Sequence, residues 1–389
     1  MTVCSDSLPH PLLVSVLNDP KAVLSLSADQ WNLLLRQARH AGVMAKISIM
    51  ILKLEQQISW SVPEAPRRHL ISACQLAAKQ LRTVQWEVNR LSQALRHLDI
   101  PVILLKGTAY AVAELPASRG RLFNDIDIMV PKSRLAEVEK QLMLHGWVAS
   151  HHDSYDQRYY RTWMHELPPM VHVKRETVLD VHHNILPETA WLRLDPTVLF
   201  EAAQPLANRD PFAVLSPEDM VLHSATHLFS DGDFEHGLRD LADLNDLIVC
   251  FSTGHSQFWD QLLNRAEQLR LTRPLYYALS YICFYFSRSL PDNVLDKLNG
   301  YRPAYPIRSL MHWLLVRALR PKHPSCDLRY TALARWLLYI RSHYLRMPLY
   351  LLLPHLIRKA LKPVKSIKQD DFRTAQQNLR LDHIDHRLG

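Results

Sequence analysis

The sequence predicts an α+β protein in which a small β-rich core stands between two helical regions. Three observations lead there. Apolar residues recur at helical spacing through residue 98, short β-branched runs separated by helices and turns occupy residues 101–185, and from residue 191 onward the pattern is helical again. With 389 residues, 48% of them apolar, the chain has material for two or three cores, which excludes a disordered or fibrous protein. The expected division is an N-terminal helical segment over 1–98, a mixed-sheet core over 99–212, a helical lobe over 213–300 and a basic helical region over 301–389.

The first helix opens at Ser27-Ala-Asp-Gln30, which has the form of a capping box, and runs to His40 with Gly42 just beyond it. Pro63 and Pro66 interrupt the pattern. Over 67–98, Leu70, Cys74, Ala77, Leu81, Val84 and Val88 recur at steps of four and three, the spacing of one long amphipathic helix. A continuous apolar strand over 101–106 follows and ends in Lys106-Gly107-Thr108, with one or two helical turns over 110–115. A second strand covers 124–130, then a helix over 132–145 closed by Gly146, then a strand over 147–150. Residues 159–164, 170–174 and 178–185 supply three more strands. Beyond them, Ser216-Pro217-Glu218-Asp219 opens a helix to residue 229, and further helices are expected over 234–250, 258–269, 274–286 and 293–298.

The chain carries 46 Lys and Arg against 38 Asp and Glu, a formal charge of +8, which points to an acidic partner such as a nucleotide, nucleic acid or membrane surface. Its five cysteines form no CxxC pair, so neither a disulfide framework nor a zinc knuckle is indicated. Residues 1–12 lack the pattern of a secretory signal, and no later stretch is long and apolar enough to span a bilayer. The expected location is the cytoplasm. Only nine glycines are present, without a GxGxxG or GxxxxGK[ST] pattern, which argues against a dinucleotide-binding or P-loop fold.

Chemistry gathers in the β-rich part. Asn124-Asp-Ile-Asp-Ile-Met-Val130 sets two carboxylates one residue apart on a strand, so Asp125 and Asp127 share one face while Ile126 and Ile128 share the other. Adjacent like charges repel unless a cation sits between them, and oxygen-only ligands suit Mg²⁺ or Mn²⁺; the competing reading is a pair of solvated aspartates on an exposed edge. The turn Lys106-Gly107-Thr108 offers backbone N–H groups, a small residue and a hydroxyl, all suited to phosphate, or it is an ordinary tight turn. Val178-Leu-Asp-Val-His-His-Asn184 is an alternating strand that puts Asp180 and His182 on one face, and a third carboxylate on a neighbouring strand is what a two-metal site needs. Arg119 and Arg121, in the loop before the acids, are either phosphate contacts or partners of the aspartates. His223 and His227 stand at i and i+4, but without the Glu of HExxH they read as packing residues. Arg239 and Asp243 form an (i, i+4) pair expected as an intrahelical salt bridge, while Arg239 or Asp240 would face a nucleotide if that helix closed over it.

Leu104-Leu-Lys-Gly-Thr108, Arg121-Leu-Phe-Asn-Asp-Ile-Asp-Ile128, Leu179-Asp-Val-His182 and Leu215-Ser-Pro-Glu-Asp219 together resemble the bacterial family of uncharacterised nucleotidyltransferases. That family falls within the superfamily that includes DNA polymerase beta. The resemblance covers residues 25–250 and is strongest over 101–185. It implies a nucleotidyltransferase-type mixed sheet, with Asp125, Asp127 and Asp180 as catalytic residues holding divalent metal. With that site, Lys106, Gly107 and Thr108 of the turn are expected to bind the nucleotide together with Arg119 and Arg121, whose guanidinium forks match phosphate oxygens, and His182, Arg239 and Asp240 are further candidates from their own placement. Here Lys106 and Thr108 replace the commoner Gly-Ser, and the turn lies farther from the first acid than in the broad superfamily. The implied activity is transfer of a nucleoside monophosphate from an NTP to an unidentified acceptor hydroxyl on a small molecule, a protein or an RNA end.

Residues 297–369 carry fifteen Lys or Arg and the single acid Asp327, so the positive charge lies mostly beyond the predicted core. Basic residues interleaved with Trp336, Tyr339 and Tyr350 admit contact with an anionic membrane through residues 329–368, contact with nucleic acid, or a solvated face. The membrane reading places the protein peripherally at the inner face of the membrane. A different class of function follows from the same region: a catalytically inactive nucleotide-binding or scaffold protein acting through its basic C-terminal surface.

Overall fold

Residues 9–149, 160–161, 163–207, 209–230 and 232–347 are described by the structure, a computed structural model. The N-terminal helices are α1 (Leu12–Asn18), α2 (Ala28–His40), α3 (Met44–Gln57) and the long α4 (Glu64–Leu95). At α2 the Ser27 hydroxyl accepts from the Gln30 N–H at 3.3 Å and the Gln30 side chain accepts from the Ser27 N–H at 2.9 Å, so the capping box closes as the sequence indicates. Leu70, Val84, Val88 and Leu91 bury one side of α4. The chain then enters a mixed sheet.

Among the described residues the sheet has seven strands: β1 (Val102–Leu104), β2 (Asp125–Met129), β3 (Trp147–Ala149), β4 (Met170–His172), β5 (Val178–His182), β6 (Gln204–Pro205) and β7 (Phe212–Val214), in the order β3-β4-β5-β2-β1-β7-β6. Helix α5 (Lys106–Val112) follows β1 directly, and α6 (Leu135–Leu144) joins β2 to β3. β2 therefore sits between β5, which it meets in parallel, and β1, which it meets antiparallel. The α+β class expected from the sequence is observed.

Two expectations are corrected. Residues 159–164 read as a strand, yet Tyr160, Arg161 and Trp163 are helical, residues 159 and 162 lying outside the described set. The Arg161 guanidinium pairs with both Glu139 oxygens at 2.5 and 2.8 Å, a tertiary contact that overrides the β-forming composition. The region after residue 191 read as helical, but it supplies β6 and β7, and β7 lies parallel to β1 with Val102 opposite Phe212. At two and three residues these strands are too short to show alternation.

The remaining helices are α7 (Thr197–Ala202), α8 (Pro217–Ser230), α9 (Gly237–Gly254), α10 (Phe258–Gln268), α11 (Thr272–Phe286), α12 (Asp292–Gly300), α13 (Tyr305–Ala318) and α14 (Thr331–Arg346). The Ser216 hydroxyl accepts from the Asp219 N–H at 3.2 Å and caps α8. One hydrophobic core runs from Leu13 to Leu338, and Asn18 reaches across it to donate to the Tyr285 carbonyl at 2.7 Å. Among the described residues no helix is long and apolar enough to cross a membrane. Of the expected membrane-contact stretch 329–368, residues 348–368 lie outside the described set, and Tyr330, Leu333, Trp336 and Tyr344 are exposed.

Gly120 ties the loop before β2 to α3. It has φ +71°, and a side-chain carbon there would lie 2.5 Å from the Lys46 backbone nitrogen. Neither the backbone angle nor the neighbouring backbone can yield to an alanine. Gly120→Ala is therefore expected to destabilise the protein by about 2 kcal/mol or more, read as a lower urea midpoint at unchanged m-value.

Candidate active site

The register of two central strands builds the site. β2 and β5 pair with Asp125 opposite Val178 and Asp127 opposite Asp180. Because side chains alternate, Ile126, Ile128, Leu179 and Val181 enter the core while the three aspartates share the other face. One oxygen from each of Asp125, Asp127 and Asp180 lies within 4.8 Å of the others. Such proximity of like charges in a sheltered place should show in their protonation, and it does. Burial and then the Asp127 charge raise the Asp125 carboxyl, and the same two causes push Asp180 up to about 7. Burial alone would also raise Asp127, but Lys106 and His182 outweigh it and hold that carboxyl well below the usual range.

Those two donors converge on one oxygen. The Lys106 ammonium lies 2.8 Å and His182 Nε2 3.0 Å from Asp127 Oδ1. His182 Nδ1 is 3.2 Å from Glu166 Oε2, so the imidazole bridges two carboxylates. Burial would lower His182, but the hydrogen bond to Asp127 and the Glu166 charge raise it. His183, on the opposite face, is lowered by burial.

Residues 106–108, read from the sequence as a turn ahead of a helix over 110–115, are the first turn of α5 itself, and they serve the strand as much as the cleft. Lys106 takes φ +46°, which aims its side chain back at β2. The buried Thr108 hydroxyl accepts from the Asp127 N–H at 3.4 Å. At Gly107 an added carbon would stand 2.6 Å from Arg121 Nε, so the glycine makes room for that guanidinium.

Arg121 and Arg119 part company. Arg119 is exposed and lies outside the cleft lining. Arg121 lies beneath α9 with 12% of its side chain exposed, where it pairs with Asp243 and stands 3.7 Å from Asp240. Lys46 of α3 reaches the same carboxylate, with its ammonium 3.0 Å from Asp243 and 2.7 Å from Asp246, and burial pushes its pKa down. The expected Arg239–Asp243 salt bridge along α9 gives way to these partners. Asp243 faces inward with only 3% of its side chain exposed, and Arg239 pairs instead with its neighbour Asp240 at 2.9 Å. Two tertiary cations already neutralise the buried acid, and Arg239, one turn away, turns to Asp240 at the cleft instead.

The cleft is lined by Lys106, Tyr110, Arg121, Asp125, Asp127 and Asp240, with Ser224, His227, Arg239 and Asp243 closing it from α8 and α9. His223, read from the sequence as a packing residue, is buried, and burial together with Lys106 holds its pKa well below the ordinary value. His227, read in the same way, faces the cleft. Lys46, Glu166 and Asp243 escaped sequence reasoning as site residues. Asp243 was visible in the sequence only as one end of its (i, i+4) spacing from Arg239, whereas Lys46 and Glu166 are joined to the site only by the fold.

Whether the acidic cluster suits a divalent cation can be judged from its atoms. Its ligands are all carboxylate oxygens, the set that hard cations prefer. Asp180 Oδ1 is buried with no hydrogen-bond partner among the described residues, and both donors to Asp127 take Oδ1 rather than Oδ2. A buried unpaired acceptor is costly, and a cation between the carboxylates would satisfy it while cancelling their repulsion. The residues therefore fit a divalent metal.

Comparison with known proteins agrees with the chemistry of the site. Residues 27–286 match the model of a family described as uncharacterised nucleotidyltransferase. No curated protein and no solved structure matches the chain.

Proposed function

Because the chain belongs to the uncharacterised nucleotidyltransferase family, we propose that its three-carboxylate cluster transfers a nucleoside monophosphate from an NTP to an acceptor hydroxyl. The observation that carries this reading is the in-register pairing of Asp127 with Asp180, which gathers three carboxylates within 4.8 Å beside a cleft that Lys106, Arg121 and Arg239 help to line. Asp125, Asp127 and Asp180 would hold Mg²⁺ or Mn²⁺. Bound there, the cation supplies charge neutralisation for the triphosphate and acidifies the attacking hydroxyl.

The remaining chemistry falls to the protein. Lys106 and Arg121 face the cleft and offset the charge of the phosphates, while Gly107 keeps the Arg121 guanidinium close to β2. Asp180 accepts the proton that the acceptor hydroxyl loses. The acceptor oxygen forms a bond to the α-phosphorus as the bond from that phosphorus to the β-phosphate oxygen breaks, and pyrophosphate departs. His182, anchored on its other nitrogen by Glu166, holds Asp127 Oδ1 together with Lys106 and leaves Oδ2 available.

The test is pyrophosphate release from purified protein with each NTP, Mg²⁺ and pooled candidate acceptors. Release that requires the metal and stops with EDTA is expected. No release with any NTP and acceptor would sink the reading. The pH dependence has a defined sign. Asp180 must be ionised both to hold the metal and to take the proton, so activity should fall as pH drops and should persist to lower pH as Mg²⁺ is raised, because the cation favours the ionised carboxylate. Without metal the stability trend runs the other way. The native carboxyl titrates near 7 and the unfolded one near 3.8, so between those values the native state holds the extra proton. Asp180 then contributes a stability that declines as pH rises from about 3.8 to about 7. Added Mg²⁺ should remove that decline in thermal melts.

A further inference from the structure

We propose that the groove on the outer face of α4 holds a single-stranded nucleic acid that serves as the acceptor strand. The inference rests on the transfer reaction above for the strand's role as acceptor, and on the groove itself for its binding. Lys79, Arg82, Thr83, Trp86 and Arg90 recur at helical spacing along α4, and all are exposed. Trp86, a large apolar ring, leaves 45% of its surface in solvent. Two guanidinium groups flank it, Arg90 at 4.9 Å and Arg175 at 5.4 Å from the ring centroid.

Arg175 is not there by chance of a mobile surface side chain. Glu87 turns inward from α4, and its Oε1 accepts from Arg175 Nε at 2.7 Å and from the Thr177 hydroxyl at 2.8 Å. The acid of this helix face is thus spent on holding Arg175 beside the indole, while the exposed charges are all positive. An exposed indole ringed by fixed cations offers what an unpaired strand requires, a stacking surface for a base and partners for its phosphates. An acidic peptide would be served by the cations alone, and a lipid surface would meet polar Thr83 where it needs an apolar neighbour.

Location ties the groove to the chemistry. Gln80, next to Lys79, accepts from the Phe123 N–H at 2.9 Å, two residues before Asp125. Thr177, on the groove wall, immediately precedes Val178, the strand partner of Asp125. The groove therefore ends where β2 and β5 begin, beside the first carboxylate. A strand lying over Trp86 is expected to run toward the starts of β2 and β5, the strands that carry the carboxylates.

The test is fluorescence anisotropy of the full chain, free of metal and NTP, with short fluorescein-labelled single-stranded RNA and DNA and a duplex of the same sequence. Binding of a single strand in preference to the duplex is expected. Trp86→Ala should weaken it about tenfold and Trp86→Phe much less, because stacking needs a ring. Lys79→Glu/Arg82→Glu should weaken it and flatten its salt dependence. The sugar bound more tightly identifies the strand as RNA or DNA. No binding, binding unchanged in Trp86→Ala, or equal displacement of wild type and Trp86→Ala by inorganic polyphosphate would overturn the proposal. Failure of the transfer reading looks different: strand binding that depends on Trp86, with no nucleotide added to that strand or any other acceptor.

Discussion

Asp127→Asn is expected to lower nucleotidyl transfer about a thousandfold while leaving the protein folded, because a lost metal ligand removes several kcal/mol of transition-state stabilisation. The substitution keeps the shape of the side chain and a carbonyl oxygen that can still accept from Lys106 and His182, which lie 2.8 and 3.0 Å from Oδ1. What disappears is the charge. Asp127 is the carboxylate held ionised by its two donors, and its charge helps to raise both Asp125 and Asp180. Without it the other two carboxyls should return toward ordinary values, which offsets part of the stability lost with the charged pairing to Lys106 and His182, so the metal-free protein should melt only modestly below wild type. Single-turnover assays at saturating NTP, set beside thermal melts with and without Mg²⁺, separate the two effects. Wild-type activity in the variant would remove Asp127 from the chemistry, and a large loss of melting temperature would make it a structural residue.

The largest stability effect is expected elsewhere, at Asp243. This carboxylate, 3% exposed in its side chain, receives the Lys46 ammonium at 3.0 Å and the Arg121 guanidinium. Removing one member of a buried ion cluster leaves the others desolvated without compensation, a cost of about 3–5 kcal/mol. Asp243→Ala should fall near 3 kcal/mol, the lower end of that range, because Asp246 still meets Lys46 at 2.7 Å and Asp240 stands 3.7 Å from Arg121. Asp246, with 30% of its side chain in solvent, is the control, and Asp246→Ala should cost about 1 kcal/mol or less by urea denaturation. The expected difference separates a keystone of the α3, α9 and β2 junction from a surface pair. Equal losses in the two variants would show that Asp243 has no special place. The cleft should suffer too, because Arg121 lines it and would no longer be fixed from above.

The parts of the site set by strand alternation were legible in the sequence, and those set by pairing were not. A period of two places Asp125 with Asp127, and Asp180 with His182, whatever the strands meet. That Asp127 stands opposite Asp180 is a matter of register, and a slip of one residue would turn one strand's acids into the core. The caps at Ser27 and Ser216 were equally local and formed as read. Arg239 and Asp243 show the limit of local reasoning. Their spacing favours a pair, but spacing along a helix cannot tell which side of α9 will be buried or what cations arrive there.

By itself, then, the sequence determined the α+β class, the long amphipathic α4, the alternating acidic strands and the family over residues 27–286. Each depends on propensity, periodicity or motif within a short stretch of chain. Only the tertiary structure decided that β7 would close against β1, that Lys46 and Arg121 would share Asp243, and that Glu166 would reach His182. Those contacts join residues far apart along the chain, and their energies come from burial and charge neutralisation that exist only once the core has formed. The same division holds for the basic charge, whose excess the sequence locates beyond residue 296. The smaller group of cations around Trp86 becomes a groove only when Arg175 is carried to α4 by the β4–β5 hairpin.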